Sequence, residues 1–221
     1  MREIKKDLVS KGEEFLAASP LRIVKLGNHY YHNMNKIKSI CVFCGSSESV
    51  DSSYKKVAME LGCAIGKKGI DLIYGGASIG LMGCVARGVH EEKGNVIGIL
   101  PEFFKSKDIE YLDADELIVT KDMRERKAKM DEKSDAFIVL PGGVGTLEEA
   151  MEILSMRQLK LTHKPLVFIN SQGFYNNLNE IFEVMIEQKF AKKNIRKMFA
   201  ITPDPITALK YIFNYKTQFS G

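Results

Sequence analysis

Residues 136 to 149 read Ala-Phe-Ile-Val-Leu-Pro-Gly-Gly-Val-Gly-Thr-Leu-Glu-Glu, an unbroken apolar run, then a proline, three glycines within four residues, and a stretch of helix formers. A strand exposed on one face would alternate apolar and polar residues, so continuous apolar character marks a strand buried on both faces, as in a parallel sheet. The unit of strand, turn and helix recurs. Working outward, apolar runs fall at Ile37 to Phe43, Ile70 to Tyr74, Val96 to Leu100, Leu117 to Val119, Ala136 to Leu140 and Leu166 to Ile169, with a seventh near Phe199 to Ile201. Helical periodicity occupies Val50 to Lys67, Gly80 to Glu92, Asp122 to Lys133, Thr146 to Leu161, Phe174 to Gln188 and Pro205 to Tyr215. Such alternation predicts an α/β fold, a doubly wound, mainly parallel sheet with helices on both faces.

The turn itself carries chemistry. Gly142, Gly143 and Gly145 let backbone N–H groups approach an anion closely, and the N-terminus of the following helix adds partial positive charge, so a phosphate is the expected guest. A purely structural alternative stands beside it, because Thr146 and Glu149 have the spacing of a capping box. On that helix Leu147, Ala150, Met151 and Leu154 form one apolar stripe, and Ile153 and Met156 form a second that includes Glu149. A helix apolar on two faces needs two partners, the sheet and, by expectation, a second subunit. Glu149 then lies at the rim of a partly desolvated site, where its protonation can be tuned.

Between Lys121 and Lys133 ten of 13 residues are charged. Most such runs are solvated helix faces, here with Asp122 as N-cap and Glu125 at the capping-box position. Arg126 and Lys127, however, share a face with Met123 and Met130, so the side that should dock on the body carries two cations. That is tolerable if they meet a phosphate or a carboxylate.

Two further glycine turns follow strands. Ile73-Tyr-Gly-Gly-Ala-Ser-Ile-Gly-Leu-Met-Gly83, with Glu102 downstream, imitates a dinucleotide fingerprint in degenerate form. Phe43-Cys-Gly-Ser-Ser47 closes the first strand with small residues, read equally as an ordinary serine N-cap or as a ligand contact. Gly45 and Ser46 on this turn, and Gly76 and Met82 on the other, are candidate substrate contacts. All these turns fall at the carboxyl edge of the sheet, where open α/β folds bind ligands.

Composition excludes other classes. The chain of 221 residues has 45% hydrophobic and 27% charged residues, which suits one soluble globular domain rather than a disordered or disulfide-framed chain. Residues 1 to 38 hold eight Lys/Arg against four Asp/Glu and the remainder balances at 24 against 24, so the net charge of +4 belongs to the N-terminal segment. The body lacks the overall basic charge that drives nucleic-acid binding. Four cysteines are too few to staple this length, which points to a reduced cytoplasm. Cys41 and Cys44 form a C-x-x-C that nothing completes into a zinc set, and the four histidines have no ligand spacing, so no metal is expected. No apolar run reaches the length of a membrane span and no signal-peptide core opens the chain. Residues 1 to 35 have helical periodicity in their first half and a polar, aromatic passage at Gly27 to Asn35, and read as an N-terminal extension. A single domain then runs over 36 to 221, with Met34 standing as a possible alternative start.

In this order, FCGSS, YGGASIGLMG, DMRERKAKM and PGGVGTLEE resemble the Lonely Guy (LOG) family, cytokinin riboside 5'-monophosphate phosphoribohydrolases whose relatives are often labelled lysine decarboxylases. The match runs from about Lys36 to Tyr215. The resemblance implies a Rossmann-like fold, a dimer or higher homo-oligomer with sites completed between subunits, and no cofactor. It also implies hydrolysis of the N-glycosidic bond of a nucleoside 5'-monophosphate, with a cytokinin nucleotide or AMP as substrate. By position, Arg126 and Glu149 match the catalytic Arg and Glu. Lys127, Gly142, Gly143, Val144, Gly145, Thr146, Leu147 and Glu148 match substrate-binding positions. The chain departs from the family pattern at Arg124, often His, at Ala77, often a third glycine, and at Val144, often aromatic.

The residues fit this chemistry independently. Cleaving a ribosyl-base bond passes through an oxocarbenium-like state, so a carboxylate near the anomeric carbon stabilises charge and orients water. Glu149 is assigned that role, Arg126 the phosphate or sugar, and the Gly142 to Thr146 amides the 5'-phosphate. Decarboxylation of lysine would need a pyridoxal phosphate Schiff base, for which the sequence shows no amino-acid pocket. A non-catalytic nucleotide-binding or carrier protein is the alternative, but a phosphate cup alone does not call for that carboxylate.

Overall fold

A computed structural model describes Lys25–Leu26, His29–Tyr30 and residues 37 to 216. The chain divides into two compact units, Met1–Lys36 and Ile37–Gly221. In the first, strands β1 (Lys25–Leu26) and β2 (His29–Tyr30) pair antiparallel with Leu26 opposite His29. The helical periodicity read before them and Met34 lie outside the described residues.

The second unit is a sheet of seven strands in the order β6-β5-β4-β3-β7-β8-β9, every neighbouring pair parallel. The strands are β3 (Ser39–Phe43), β4 (Asp71–Tyr74), β5 (Val96–Pro101), β6 (Glu116–Thr120), β7 (Ala136–Val139), β8 (Leu166–Ile169) and β9 (Ala200–Thr202). Helices α1 (Ser52–Gly66), α2 (Gly80–Glu91), α3 (Met123–Glu132), α4 (Val144–Gln158), α5 (Asn176–Glu187) and α6 (Pro205–Asn214) connect or follow them. Sequence and structure agree on every one of these elements and place their ends within a few residues of each other.

The pleat splits each apolar run between two cores. Ile40, Val42, Leu72, Tyr74, Ile138 and Val167 face one way, onto α1, α2 and α6, while Cys41, Phe43, Ile73, Phe137 and Phe168 face the other, onto α3, α4 and α5. Strands covered on both sides have no polar face to show, which is why their sequences do not alternate. Ile40, Phe137 and Phe168 are fully buried, each worth about 1.5–3 kcal/mol in transfer free energy. The same split answers the C-x-x-C motif: Cys41 belongs to one core and Cys44 to the other, so the two thiols lie on opposite sides of the sheet.

Strand order reverses at β3, whose neighbours are β4 on one side and β7 on the other. Chain connections diverge above such a point and leave a crevice at the carboxyl ends of the strands. Here the turns after β3, β4 and β7 meet. Gly45 N donates to the Pro141 carbonyl at 3.1 Å, and Leu81 N donates to the Gly45 carbonyl at 3.0 Å. Gly80 has φ +57° and a side chain there would sit 2.5 Å from the Ser46 backbone, so this junction requires glycine for both conformation and space.

Candidate active site

The floor of the crevice is laid by the turn after β7. Helix α4 begins at Val144 with Gly143 as its N-cap and no side chain capping it. The capping-box alternative therefore fails: Thr146 lies inside the first turn, and Glu149 sits one turn further on. Thr146 is buried, and a methyl group on Gly142 would sit 2.1 Å from its hydroxyl, so Gly142 is glycine for packing. Gly143 and Gly145 are different. A methyl group on either would meet nothing within 4 Å, and neither has positive φ. Neither internal packing nor backbone conformation calls for glycine there.

Above this turn lies a buried ion pair. Asp122 caps α3 by accepting from Arg124 N and Glu125 N, both at 2.9 Å, while Glu125 accepts from Lys121 N at 2.9 Å, one residue earlier than the usual capping-box partner. The cap fixes the helix one turn before Arg126, whose guanidinium turns inward and is only 5% exposed. Its Nε donates to the Ile99 carbonyl at 3.0 Å and its Nη1 to Glu149 Oε1 at 3.1 Å. Glu149 is equally hidden, 6% exposed. Burial pushes its carboxyl above the ordinary carboxylate range, and the Arg126 charge pulls the other way without overtaking it. Gly75 makes room for the pair, because a side chain there would begin 2.2 Å from Arg126 Nη2 and 3.1 Å from Met82 Sδ.

These groups line a cleft of about 260 Å³ bounded by Cys44, Gly45, Ser46, Met82, Arg126, Gly143, Gly145, Thr146, Glu148 and Glu149. That is near the lower end of the roughly 300–1,000 Å³ typical of small-molecule sites. The structure thus brings together nine of the residues singled out from sequence. It also adds an apolar side that the sequence reading missed, formed by Ala77, Leu100, Phe104, Ile109 and Met123 together with Gly75. Met123 could have been found from its place one turn before Arg126, whereas Phe104 and Ile109 sit in an irregular connection that carries no periodic signal.

The other sequence candidates stand outside the cleft lining. Leu147 is partly buried against the core beneath α4, and Val144 is exposed on the first turn. Gly76, φ +77°, lets the loop pass tightly against Leu100 and Ile99, so its glycine answers packing and conformation. Lys127 lies on the far side of the pair, in a groove between α3 and α4 lined also by Phe43, Arg124, Ala128, Ile153 and Met156. Its ammonium is bonded to Glu148 and, at 2.8 Å, to Glu152. Burial alone would lower its pKa, but the two carboxylates outweigh that and hold it above the usual value. The face-sharing of Arg126 and Lys127 inferred from sequence is thus answered by three carboxylates, all on α4.

Three amides of the dinucleotide imitation are bonded within the protein. Gly80 N donates to Glu48 Oε1 at 2.7 Å, Ser78 N to the Ile109 carbonyl at 2.7 Å and Leu81 N to Gly45. Among the described residues, no group of three or more His, Cys, Asp or Glu is arranged to hold a metal ion, and no helix is long and apolar enough to cross a membrane.

Residues 82–212 match the family model described as "Possible lysine decarboxylase". The cytokinin riboside 5'-monophosphate phosphoribohydrolase LOG3 of Arabidopsis thaliana is 40% identical over 181 residues, covering 82% of this chain and 84% of the relative. A probable cytokinin riboside 5'-monophosphate phosphoribohydrolase of Oryza sativa subsp. japonica, LOGL6, is 39% identical over 184 residues, covering 83% of this chain and 74% of that one. Among solved structures, the molybdenum cofactor binding protein of Rippkaea orientalis superposes with a TM-score of 0.62 at 24% identity, over 80% of this chain and 96% of that chain. The Moco carrier protein of Chlamydomonas reinhardtii gives 0.59 at 23% identity, over 80% and 98%. At these identities the structural likeness establishes a shared Rossmann-like fold and nothing more. The sequence relatives carry the assignment further, since their identity extends over most of both chains: this chain belongs to the LOG family.

Proposed function

We propose that this protein hydrolyses the N-glycosidic bond of a nucleoside 5'-monophosphate, AMP or a cytokinin nucleotide, to the free base and ribose 5-phosphate. The observation that carries the reading is the pairing of two buried, oppositely charged side chains, Arg126 and Glu149, beside helix amides whose glycines are required by nothing inside the protein. The names of the sequence relatives support it.

The 5'-phosphate takes the amides of Gly143, Gly145 and Thr146 at the start of α4, where the helix dipole favours an anion. Arg126 holds the sugar-phosphate and Glu149 faces the anomeric carbon. As the bond to the base breaks, its electron pair leaves with the base and positive charge develops on the ribose. The Glu149 carboxylate stabilises that charge and orients the attacking water, whose oxygen bonds to the anomeric carbon; one of its protons stays on the new anomeric hydroxyl and the other passes to the departing base. In a site shielded from water such charge stabilisation is worth far more than at the surface. The apolar side, with Leu100, Phe104 and Ile109, takes the base. The active form is a cytoplasmic homodimer, with the α3–α4 groove beside Lys127 covered by the second subunit.

The decarboxylase in the family description calls for pyridoxal phosphate, which the residues do not fit: among the described residues no lysine lines the cleft, and Lys127 is engaged by Glu148 and Glu152. No observation favours the carrier alternative, which has no use for Glu149. The test is a panel of nucleoside 5'-monophosphates, including AMP with and without an isopentenyl group on its exocyclic amine, assayed for free base. Release of base from at least one of them is expected, and a panel left wholly intact rejects the hydrolase.

A further inference from the structure

The apolar wall of the cleft comes from the connection between β5 and β6, which delivers Phe104 and Ile109 with only a 3-10 turn, Glu102–Lys107, and irregular chain to carry them. Its fastening is visible in the hydrogen bonds. Ser78 N and Oγ donate to the Ile109 carbonyl at 2.7 and 3.1 Å, Tyr111 N donates to the Gly76 carbonyl at 2.9 Å, and Ala77 bridges Glu110. These bonds tie the connection only to the loop at residues 76 to 78, which is itself irregular.

One face of α2 holds both. Arg87 Nη1 donates to the Ser78 carbonyl at 3.0 Å. Three residues on, His90 has Nδ1 2.9 Å from the Tyr111 hydroxyl and Nε2 3.1 Å from Asp115 Oδ2, and that same oxygen accepts from Val96 N at 2.8 Å where β5 begins. The imidazole therefore spans the hook from Tyr111 to Asp115 and locks it to a rigid helix and to the sheet. Tyr111 is only 8% exposed, so its bond to His90 meets little competition from water. Arg126 and Glu149 sit on other elements, and their bonds to each other and to Ile99 involve none of these groups.

We propose that His90 is a positioning residue that sets base preference: through Tyr111 it holds Ile109, and with it the apolar wall, in place against the base. The inference rests on the phosphoribohydrolase reading above. A hydrophobic wall discriminates only while it stays in contact, and each methylene in such a pocket changes selectivity about 10–200-fold. Loosening the wall erodes preference for an apolar substituent while leaving the reacting groups alone.

The test uses the full chain, with Tyr111→Phe, which removes one hydroxyl, and His90→Phe, with His90→Gln as the conservative variant. Steady-state kinetics on AMP and on AMP carrying the isopentenyl group give the ratio of their kcat/KM values, and hydrogen exchange follows peptides spanning residues 103–115. In His90→Phe and Tyr111→Phe the ratio falls by about tenfold, exchange in 103–115 quickens, and kcat on AMP stays within about threefold of wild type. His90→Gln recovers part of the ratio. A ratio that stays at the wild-type value in Tyr111→Phe overturns the proposal, as does a tenfold loss of kcat on AMP in that variant, which would place these groups in general stability or in the chemistry. If the wild-type protein cleaves neither nucleotide, the hydrolase reading has failed separately. The ratio of their dissociation constants, measured by calorimetry on the same variants, then decides the positioning role by the same tenfold criterion.

Discussion

Replacing Gly75 by alanine tests whether the geometry of the buried pair governs turnover. The new methyl group would lie 2.2 Å from Arg126 Nη2, where ordinary contact begins near 3.4 Å, so the guanidinium has to move by more than about 1 Å. It has no room to do so quietly. Its Nε is bonded to the Ile99 carbonyl and its Nη1 to Glu149, and the new group would also crowd Met82 Sδ at 3.1 Å. Gly75 does not have positive φ, so alanine adds no backbone strain and the effect is purely steric. A misplacement of this size in a catalytic group costs on the order of 10²-fold in rate. Separating the pair also strands a buried charge, for which the full loss of a partner costs about 3–5 kcal/mol. Because Arg126 is displaced rather than removed, about half of that upper figure is expected in unfolding free energy. The assay is chromatographic release of free base from AMP, with denaturant unfolding alongside. A Gly75→Ala protein with kcat/KM within threefold of wild type would refute the claim that a fixed Arg126–Glu149 geometry is needed.

Four further outcomes follow. Glu149→Gln retains AMP affinity within a few-fold by calorimetry while turnover drops at least 10³-fold; most of the turnover surviving would remove Glu149 from the chemistry. In the wild type the acid limb of kcat/KM lies above pH 4.5, because the folded protein holds the Glu149 proton more tightly than an ordinary glutamate does. By the same sign, this group's contribution to stability is largest below pH 4.5 and declines as pH rises through the raised value. Gly143→Ala and Gly145→Ala leave thermal stability unchanged or slightly raised, since the added methyl meets nothing, but weaken nucleotide binding about tenfold; unaltered affinity would deny the phosphate cup. Asp122→Ala, by removing the two backbone contacts that cap α3, lowers unfolding free energy by about 1 kcal/mol in urea titration.

Much of this arrangement was legible because each strand is covered on both faces and so appears as an uninterrupted apolar run. Ala136 to Leu140 is the clearest case, and the turn after it announces itself by glycine alone. The start of α4 was harder: Thr146 and Glu149 satisfy the spacing of a capping box, yet glycine at 143 accepts the N-cap position without a side-chain bond, and the helix begins two residues earlier. Spacing also predicted that Arg126 and Lys127 would share a face, but not that the cleft would take one and the neighbouring groove the other. That separation depends on carboxylates 21 or more residues away in sequence, Glu148, Glu149 and Glu152. Gly75 looked like one more turn glycine, and its reason, the space under a guanidinium 51 residues on, exists only in three dimensions. Phe104 and Ile109 left no signal, because their chain has no period to read and is held by polar contacts from α2.

The proposed reaction breaks the bond between base and ribose. Turnover of AMP in water enriched in oxygen-18, followed by mass spectrometry, tests it directly. Cleavage there gives adenine and ribose 5-phosphate in equal amounts, the label on the sugar's anomeric oxygen and none on phosphate, with both products missing in Glu149→Gln. Adenosine with labelled inorganic phosphate, or AMP recovered intact under every condition, would contradict it.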